Sequence, residues 1–436
     1  MFLKDSLHTL LIRVLSYSCA FLVQILVANY LGASSKGELQ IAMFAMSVVT
    51  VIVGMGFERA IIYHIGKKLY PLQQIWSNTL VYLLTAVLGG TIVLLPVFYL
   101  ARPIFGQIGF GVLIIAFLLV PFDRFFSFQL GVYNGSGKIR HGNSFTLIES
   151  VLFVGFAALF MIWILPSTAG VLWAYILAFL MAGVISAVYL AKHFNLAFRP
   201  MANARLIKDF LAYGLKGQIG NLTKLIATRI DLLLLNYFMG KSWAGIYSVA
   251  INFGDMLFFL PIVLSYVIFP HASRRDQDQG WILTGRVSRI SFAFTLISAI
   301  VVAVTAPILI PIFFPPVFID AIKPLWILLP GVVMFSTFRV MSSGISGLGY
   351  PLIQSICTSI AVTSSVLLNL LLIPRYQHLG AAMASSISYI LAQVVLLAII
   401  KFKFRMRVLD LMVPSRDDPR LIRERARAYL NREQKR

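Results

Sequence analysis

Stretch after stretch of this chain runs for about twenty residues or more with almost no charge; 75–100, 144–165 and 353–373 are examples. That length is what an α-helix needs to cross the hydrocarbon core of a bilayer. Lipid offers the backbone no hydrogen-bond partner, so each run must satisfy its own amides as a helix. The runs are continuous and do not alternate with period two, which argues against a transmembrane barrel. Twelve spans can be placed, at roughly 9–31, 38–64, 75–100, 108–133, 144–165, 170–191, 210–238, 242–269, 287–313, 322–346, 353–373 and 380–400. Only 12% of the residues are charged, about half the share in soluble domains and too little to clothe a soluble protein of this size. The first run is too long for a cleaved signal, carries Arg13 and is echoed by an internal segment, so it reads as a retained span. The expected fold class is all-α: a polytopic membrane protein with about twelve transmembrane helices.

Lysine and arginine are unevenly shared between the two ends of these spans. With a cytoplasmic N-terminus, that side receives Lys67, Lys68, Lys138, Arg140, Lys192, Arg199, Arg205, Lys208, Arg274, Arg275, Arg286 and the C-terminal tail. The other side receives Lys36, Arg102, Lys241, Lys323 and Arg375. The positive-inside rule then puts both termini in the cytoplasm. The net charge of +21 reports this topology, and no nucleic-acid partner is expected. The tail, RVLDLMVPSRDDPRLIRERARAYLNREQKR, reads as a basic helix against anionic headgroups, with docking to a partner as the other reading. Cys19 and Cys357 lie in separate apolar runs and form no framework. His8, His64, His141, His193, His271 and His378 are scattered without zinc spacing. No cofactor or metal is expected.

The chain also repeats itself. NYLGASSKGELQIA (29–42) returns as NYFMGKSWAGIYSVA (236–250). At an offset of 208, Gly32, Ser34, Gly37 and Ala42 fall on Gly240, Ser242, Gly245 and Ala250; Asn29 and Tyr30 fall on Asn236 and Tyr237 at 207. YNGSGK (133–138) returns as ISGLGY (345–350), with Gly135 and Gly137 on Gly347 and Gly349, and Pro166 falls on Pro374. Landmarks in order at a nearly constant offset describe two copies of one six-span unit. An even number of spans gives both copies the same orientation, a parallel-repeat transporter architecture with the substrate path between the halves. The expected domains are an N-terminal six-helix lobe at 1–192, a cytoplasmic linker at 193–208, a C-terminal six-helix lobe at 209–401 and the basic tail at 402–436.

Polar groups inside spans are costly and usually face an interior or a wet cavity. In the first span Arg13, Tyr17 and Gln24 fall within about 40° of one another on a helix. At the 207 offset they correspond to Gly220, Lys224 and Asp231 of the seventh span, with Lys216 two turns earlier. In the second span Gln40, Ser47 and Glu58 share a face to about 20°. Gln40 and Ser47 correspond to Ser248 and Asp255 of the eighth, where Asn252 joins that face. Helices 1, 2, 7 and 8 are therefore the expected cavity walls. Asp123 and Arg124 stand side by side in the fourth span, and a locally compensated pair explains them as well as a site does. Arg339 in the tenth shares a face with Ser336, Ser343 and Ser346 and has no acid in its own span, which points to an anion-facing role. Snorkelling to cytoplasmic headgroups explains Arg13 and Lys216 equally well.

The repeated turns carry a family resemblance. TRIDLLLLNYFMGKSWAGIYSVAINFGDMLFFLPIVLSYVIFPHASR (228–274) resembles the seventh-to-eighth helix region of the polysaccharide transporter family. LVANYLGASSKGELQIAMFAMSVVTVIVGMGFERAIIYHIGKK is similar to its N-terminal pattern, and AIKPLWILLPGVVMFSTFRVMSSGISGLGYP resembles its tenth helix and following loop. The resemblance spans nearly all of 1–400 and leaves out the tail. The family includes O-antigen and exopolysaccharide flippases, in the superfamily that also holds multidrug extruders and lipid II flippases. The resemblance implies a V-shaped pair of six-helix lobes and alternating access. It also implies movement of a polyprenyl-diphosphate-linked oligosaccharide across a bacterial inner membrane, with membrane lipids and a polysaccharide polymerase machinery as partners.

Such a cargo carries an anionic diphosphate. Lys224, Arg339 and Arg124, with Arg13 and Lys216, are then candidates to hold the headgroup, since charge-assisted donors to phosphate are strong. Tyr17, Gln24, Gln40, Ser47, Glu58, Ser248 and Asn252 would line the cavity. Asp231 or Asp255 would be an ion-coupling carboxylate, with uniport equally open. An ion-coupled multidrug extruder would favour an acidic, aromatic cavity. A lipid II flippase usually has two further spans. A membrane glycosyltransferase or polymerase would need an acidic pair on an outer loop, where Asp320 stands alone. A transporter, not an enzyme, is expected.

Overall fold

The computed structural model describes all residues except 1, 102–104, 106–107, 275 and 405–436, and leaves aside the side chains at 2–7, 10, 216, 217, 219–221, 224 and 227. The basic tail from 405 onward and the side chains of Lys216 and Lys224 thus lie outside the described residues. The described residues are helical almost throughout, and none forms a strand. In order they make α1 (Phe2–Gly54), α2 (Phe57–Gly66), α3 (Leu72–Leu100), α4 (Phe110–Gly135), α5 (Ile139–Ile164) and α6 (Thr168–Phe194). There follow α7 (Ala204–Met239), α8 (Lys241–Met256), α9 (Phe259–Ser273), α10 (Gln277–Phe313), a short 3-10 turn (Pro316–Ala321), α11 (Ile322–Gly347) and α12 (Pro351–Phe404).

Two of these helices hold two crossings each. α1 leaves helical conformation at Gly32 and α12 at Gln377. α8 and α9 form one span bent by 45°, and α2 continues the second half of α1. Divided this way, the described helices that are long and apolar enough to cross supply eleven crossings, and α7, by its place in the repeat, is counted as the twelfth. Their outward faces are apolar, with Ile92, Val93, Leu100 and Trp163 well exposed. In lipid such side chains gain nothing by turning inward, so close packing and small residues hold the helices together. Gly183 of α6, for example, admits the Phe125 ring of α4.

The second span departs from expectation. Met55 (φ 42) and Gly56 (φ 70) break the helix between α1 and α2. The 3.6-residue register that put Gln40, Ser47 and Glu58 on one face therefore stops before Glu58.

By backbone contacts the chain falls into two units. The first is Met1–Ile246 with Phe313–Val317, the second Tyr247–Ile312 with Phe318–Arg436. In the first unit α5 packs on α1 and α6, α4 packs on α2 and α6, and α7 lies against α1 and α2. The seventh crossing thus shares its contacts with the first six, whereas the repeat assigns it to the second half. In the second unit α11 packs on α9 and α12.

The repeat is written into the backbone. Gly32 (φ 75, ψ −177) and Gly240 (φ 86, ψ 170) adopt one conformation, which L side chains disfavour. α4 and α11 end alike. Ser136, Gly137 and Lys138 donate their N–H groups to Val132, Asn134 and Tyr133; Leu348, Gly349 and Tyr350 donate theirs to Gly344, Ser346 and Ile345. Gly137 and Gly349 supply the left-handed residue of this cap, at φ 72 and 96.

Within the first unit the two repeated turns also meet. A Cβ on Gly37 would lie 1.7 Å from the Lys241 carbonyl oxygen, and one on Gly245 would lie 1.9 Å from that of Ala33. Each glycine meets the counterpart of the residue its own counterpart meets. Asn29 and Asn236 do the same with side chains. Asn29 donates to the Phe313 carbonyl and Asn236 to that of Phe105, both at 2.7 Å.

Candidate functional site

The polar groups of the first unit gather in two places. One is behind the repeated turn. Lys36 is fully buried, and its Nζ donates to Gln24 Oε1 at 2.7 Å and to the Gln24 carbonyl at 3.2 Å. Gln40 Nε2 donates to the same Oε1 at 3.0 Å, and the Phe314 ring lies 5.7 Å from Nζ. The next residue but one, Glu38, accepts from Gly109 N–H at 3.2 Å and Thr168 Oγ1 at 2.9 Å, and lies 3.7 Å from Lys241 Nζ. The structure thus brings Gln24 and Gln40 together and adds Lys36. Sequence reasoning had set Lys36 at the outer rim as topology charge. The break at Gly32 folds it back instead.

The second gathering lies among α2, α4, α5 and α6. Arg124 donates Nε to Asp123 Oδ2 at 2.8 Å and Nη2 to Ser127 Oγ at 3.1 Å, forming an ion pair with Asp123 at 2.7 Å. Gly54 leaves room for the guanidinium, whose Nη1 lies 3.6 Å from where its Cβ would stand. Glu58 packs against Gly131 and feels the charges of both Arg124 and Asp123. Glu149, near the middle of α5, is buried and feels Asp123. Its only sequence signal was a carboxylate at the centre of the apolar run 144–165. Ser47 bonds back to the Met43 carbonyl at 2.7 Å, while Arg13 and Tyr17 are exposed on α1. Asp231 of α7 is buried, with Oδ1 accepting from Leu232 N–H at 2.8 Å.

The second unit holds Arg339, Ser248, Asn252 and Asp255. The Arg339 guanidinium lies 4.6 Å from the Phe258 ring centre and 5.2 Å from that of Phe335. Phe335 in turn stacks on Phe338 at 5.3 Å and on Tyr389 at 4.4 Å. Rings on two sides replace part of the hydration an arginine loses inside a membrane protein. Ser336 is fully buried, and Ser343 donates to the Ser265 carbonyl at 2.6 Å. Part of the serine face beside Arg339 therefore packs on α9. Ser248 is buried, and Asn252 Nδ2 is enclosed without a partner. Among the described residues no group of His, Cys, Asp and Glu is arranged to hold a metal ion.

This all-helical arrangement is that of known multi-pass transporters. The lipid II flippase MurJ in an inward closed conformation matches with a TM-score of 0.73 at 15% identity, over 94% of this chain and 89% of that one. A multidrug resistance MATE family transporter in an inward-facing conformation matches with a TM-score of 0.72 at 16% identity, over 91% and 95%. The profile of the polysaccharide biosynthesis protein family matches residues 2–275, more than half of the chain, and the chain belongs to that family. The probable low-salt glycan biosynthesis flippase Agl15 of Haloferax volcanii is 19% identical over 393 residues, covering 88% of this chain and 80% of its own length. An uncharacterized membrane protein of Methanocaldococcus jannaschii is 25% identical over 410 residues, covering 87% and 80%.

Proposed function

We propose that this protein is a flippase that moves a polyprenyl-diphosphate-linked oligosaccharide across a bacterial inner membrane by alternating access. The cargo would serve surface polysaccharide biosynthesis, of O-antigen or exopolysaccharide type. Both termini are assigned to the cytoplasm, and the two halves of the repeat, 1–192 and 209–401, to the two lobes of the transporter.

The observation that carries this reading is Arg339 inside the second unit, held against Phe258 and Phe335. A guanidinium offers a planar fork of donors suited to two phosphate oxygens at once. Arg124, ion-paired with Asp123, is a second candidate. Lys224, Lys216 and Arg13 are assigned to the approach of the headgroup, and Tyr17, Gln24, Gln40, Ser47, Glu58, Ser248 and Asn252 to the polar lining. Asp231 or Asp255 is assigned to ion coupling.

The test uses purified protein in vesicles with a fluorescent polyprenyl-diphosphate oligosaccharide. Arg339→Ala should slow flipping about tenfold, the equivalent of about 1.4 kcal/mol, at unchanged protein level. Full rates in Arg339→Ala, Arg124→Ala and Lys224→Ala alike would remove the headgroup assignment.

A further inference from the structure

The break in the second span is bridged by donors from other helices. α1 ends at Gly54 and α2 begins after Gly56, so the last carbonyls of α1 lie beyond the reach of its own N–H groups. In an unbroken helix the Val51 carbonyl would accept from the Met55 N–H. Here it accepts from the side-chain amide of Gln218, on α7. The Val53 carbonyl accepts from the Tyr82 hydroxyl of α3 at 2.7 Å. Tyr82 also stacks on Phe57, the first residue of α2, with ring centres 4.0 Å apart and planes 5° from parallel. It therefore grips the span on both sides of the break. Gly90, further along α3, packs its backbone on the Val53 side chain.

The other grip is a stripe of α7. Phe210, Gly214 and Gln218 recur every fourth residue and share one face of that helix. The Phe210 ring lies 5.0 Å from that of Phe57 and 4.3 Å from that of His64. A Cβ on Gly56 would run into the Gly214 carbonyl, and one on Gly214 into the Met55 carbonyl. The two backbones thus touch at the break itself, one turn below the amide that serves Val51. By sequence α7 is the first helix of the second copy, yet it lies on the first unit. The helix that reads the break is the one that joins the two halves of the repeat.

The corresponding span of the second unit is bent differently. α8 and α9 meet at 45°, but Phe258 keeps φ −76. Leu257 and Phe258 donate to the Gly254 and Asp255 carbonyls, both at 3.1 Å. That bend closes its own hydrogen bonds with right-handed residues. The first one holds Met55 at φ 42, a conformation that L side chains disfavour, and depends on Gln218 and Tyr82. Each bond to a neighbour replaces one that the span could make alone, so bent and straight forms are two discrete arrangements of similar bonding.

We propose that the break at Met55–Gly56 is a switch set by α7. With the Phe210–Gly214–Gln218 stripe docked, the second span is bent. When α7 withdraws, Val51 loses the Gln218 amide and takes the Met55 N–H, Met55 returns to right-handed helix and the span straightens. The linkage runs both ways, since a straight span no longer offers α7 the Val51 carbonyl or the Gly56 surface.

Electron–electron distance measurements on the full chain in lipid nanodiscs test it, with Cys19→Ala and Cys357→Ala as background. Spin labels at Ser34→Cys and Lys67→Cys report the length of the second span. Labels at Lys67→Cys and Lys208→Cys report the docking of α7. A continuous helix from 34 to 67 would be about 50 Å long. The parent protein should give a shorter distance. Gln218→Leu and Gly214→Ala should each add a population near the straight length. Met55→Ile, which leaves α7 untouched but resists positive φ, should add the same population and also lengthen the Lys67–Lys208 distance. Met55→Gly, which accepts positive φ without strain, should restore the short distance in the Gln218→Leu protein. A parent protein at full straight length overturns the proposal. So does an unchanged span in both monodisperse α7 variants, or a Met55→Ile span that straightens while α7 stays in place. The measurement needs no cargo, so its outcome is independent of the flippase reading.

Discussion

The interiors of the two units differ in sign. In the first, Arg124 is ion-paired with Asp123 and feels Glu58, while the charged neighbour of Glu149 is Asp123. In the second, Arg339 rests on Phe258 and Phe335, and α10 presents a buried stripe of Thr284, Ser288, Ser291 and Thr295 in place of acids. Yet the backbones agree in detail, down to the three hydrogen bonds that close α4 and α11. The repeat kept the chain path, and the chemistry diverged on top of it. Substitutions at backbone-equivalent sites should therefore act alike in both copies, and substitutions of interior charges should not.

The largest effect is expected at the crossing of the repeated turns. Gly37→Ala and Gly245→Ala each drive a Cβ into a backbone carbonyl, which no rotamer can relieve. Each should cost about 3 kcal/mol, visible as a matched fall in thermal stability in detergent. A large loss in one and none in the other would break the equivalence.

Arg124→Ala should come next, because it strands Asp123 in a half-buried site; breaking such a pair costs about 3 kcal/mol. The double change Asp123→Asn with Arg124→Gln should recover most of that loss. Arg339→Ala, by contrast, should leave stability closer to wild type and fall mainly on transport. If the ranking of the two arginines is reversed in a melt, the contrast between the interiors is wrong. Phe258→Leu should then act as a weaker Arg339→Ala, since one cation–π contact contributes about 1 kcal/mol.

Much of this was legible in the sequence. Run length reveals a span because the bilayer sets it, and glycines reveal a repeat because φ > 0 tolerates little else. What escaped depends on the path between elements. The break at Met55–Gly56 places a methionine at φ 42 with no proline to announce it. Lys36 reads as a rim charge until the turn at Gly32 folds it under Gln24. α7 belongs to the second copy by sequence but packs on α1 and α2, and no periodicity encodes that choice of neighbour. Glu149 lies in the fifth span, outside the four helices whose polar faces match across the repeat. At the offset that carries Pro166 onto Pro374, Glu149 falls on Cys357, so symmetry hides it as well.

The smallest effects give the cleanest comparison. A Cβ on Gly137 or Gly349 would meet nothing within 4 Å, so substitution there probes backbone conformation alone. Alanine in the left-handed region costs about 1 kcal/mol, and both variants should lose that amount. Asparagine tolerates the conformation better, so Gly137→Asn and Gly349→Asn should recover part of it. Denaturant titration of the four proteins in one detergent reads the differences. A loss confined to one loop would mean that the two caps, despite their shared hydrogen bonds, are held by different surroundings, and that the backbone has diverged along with the side chains.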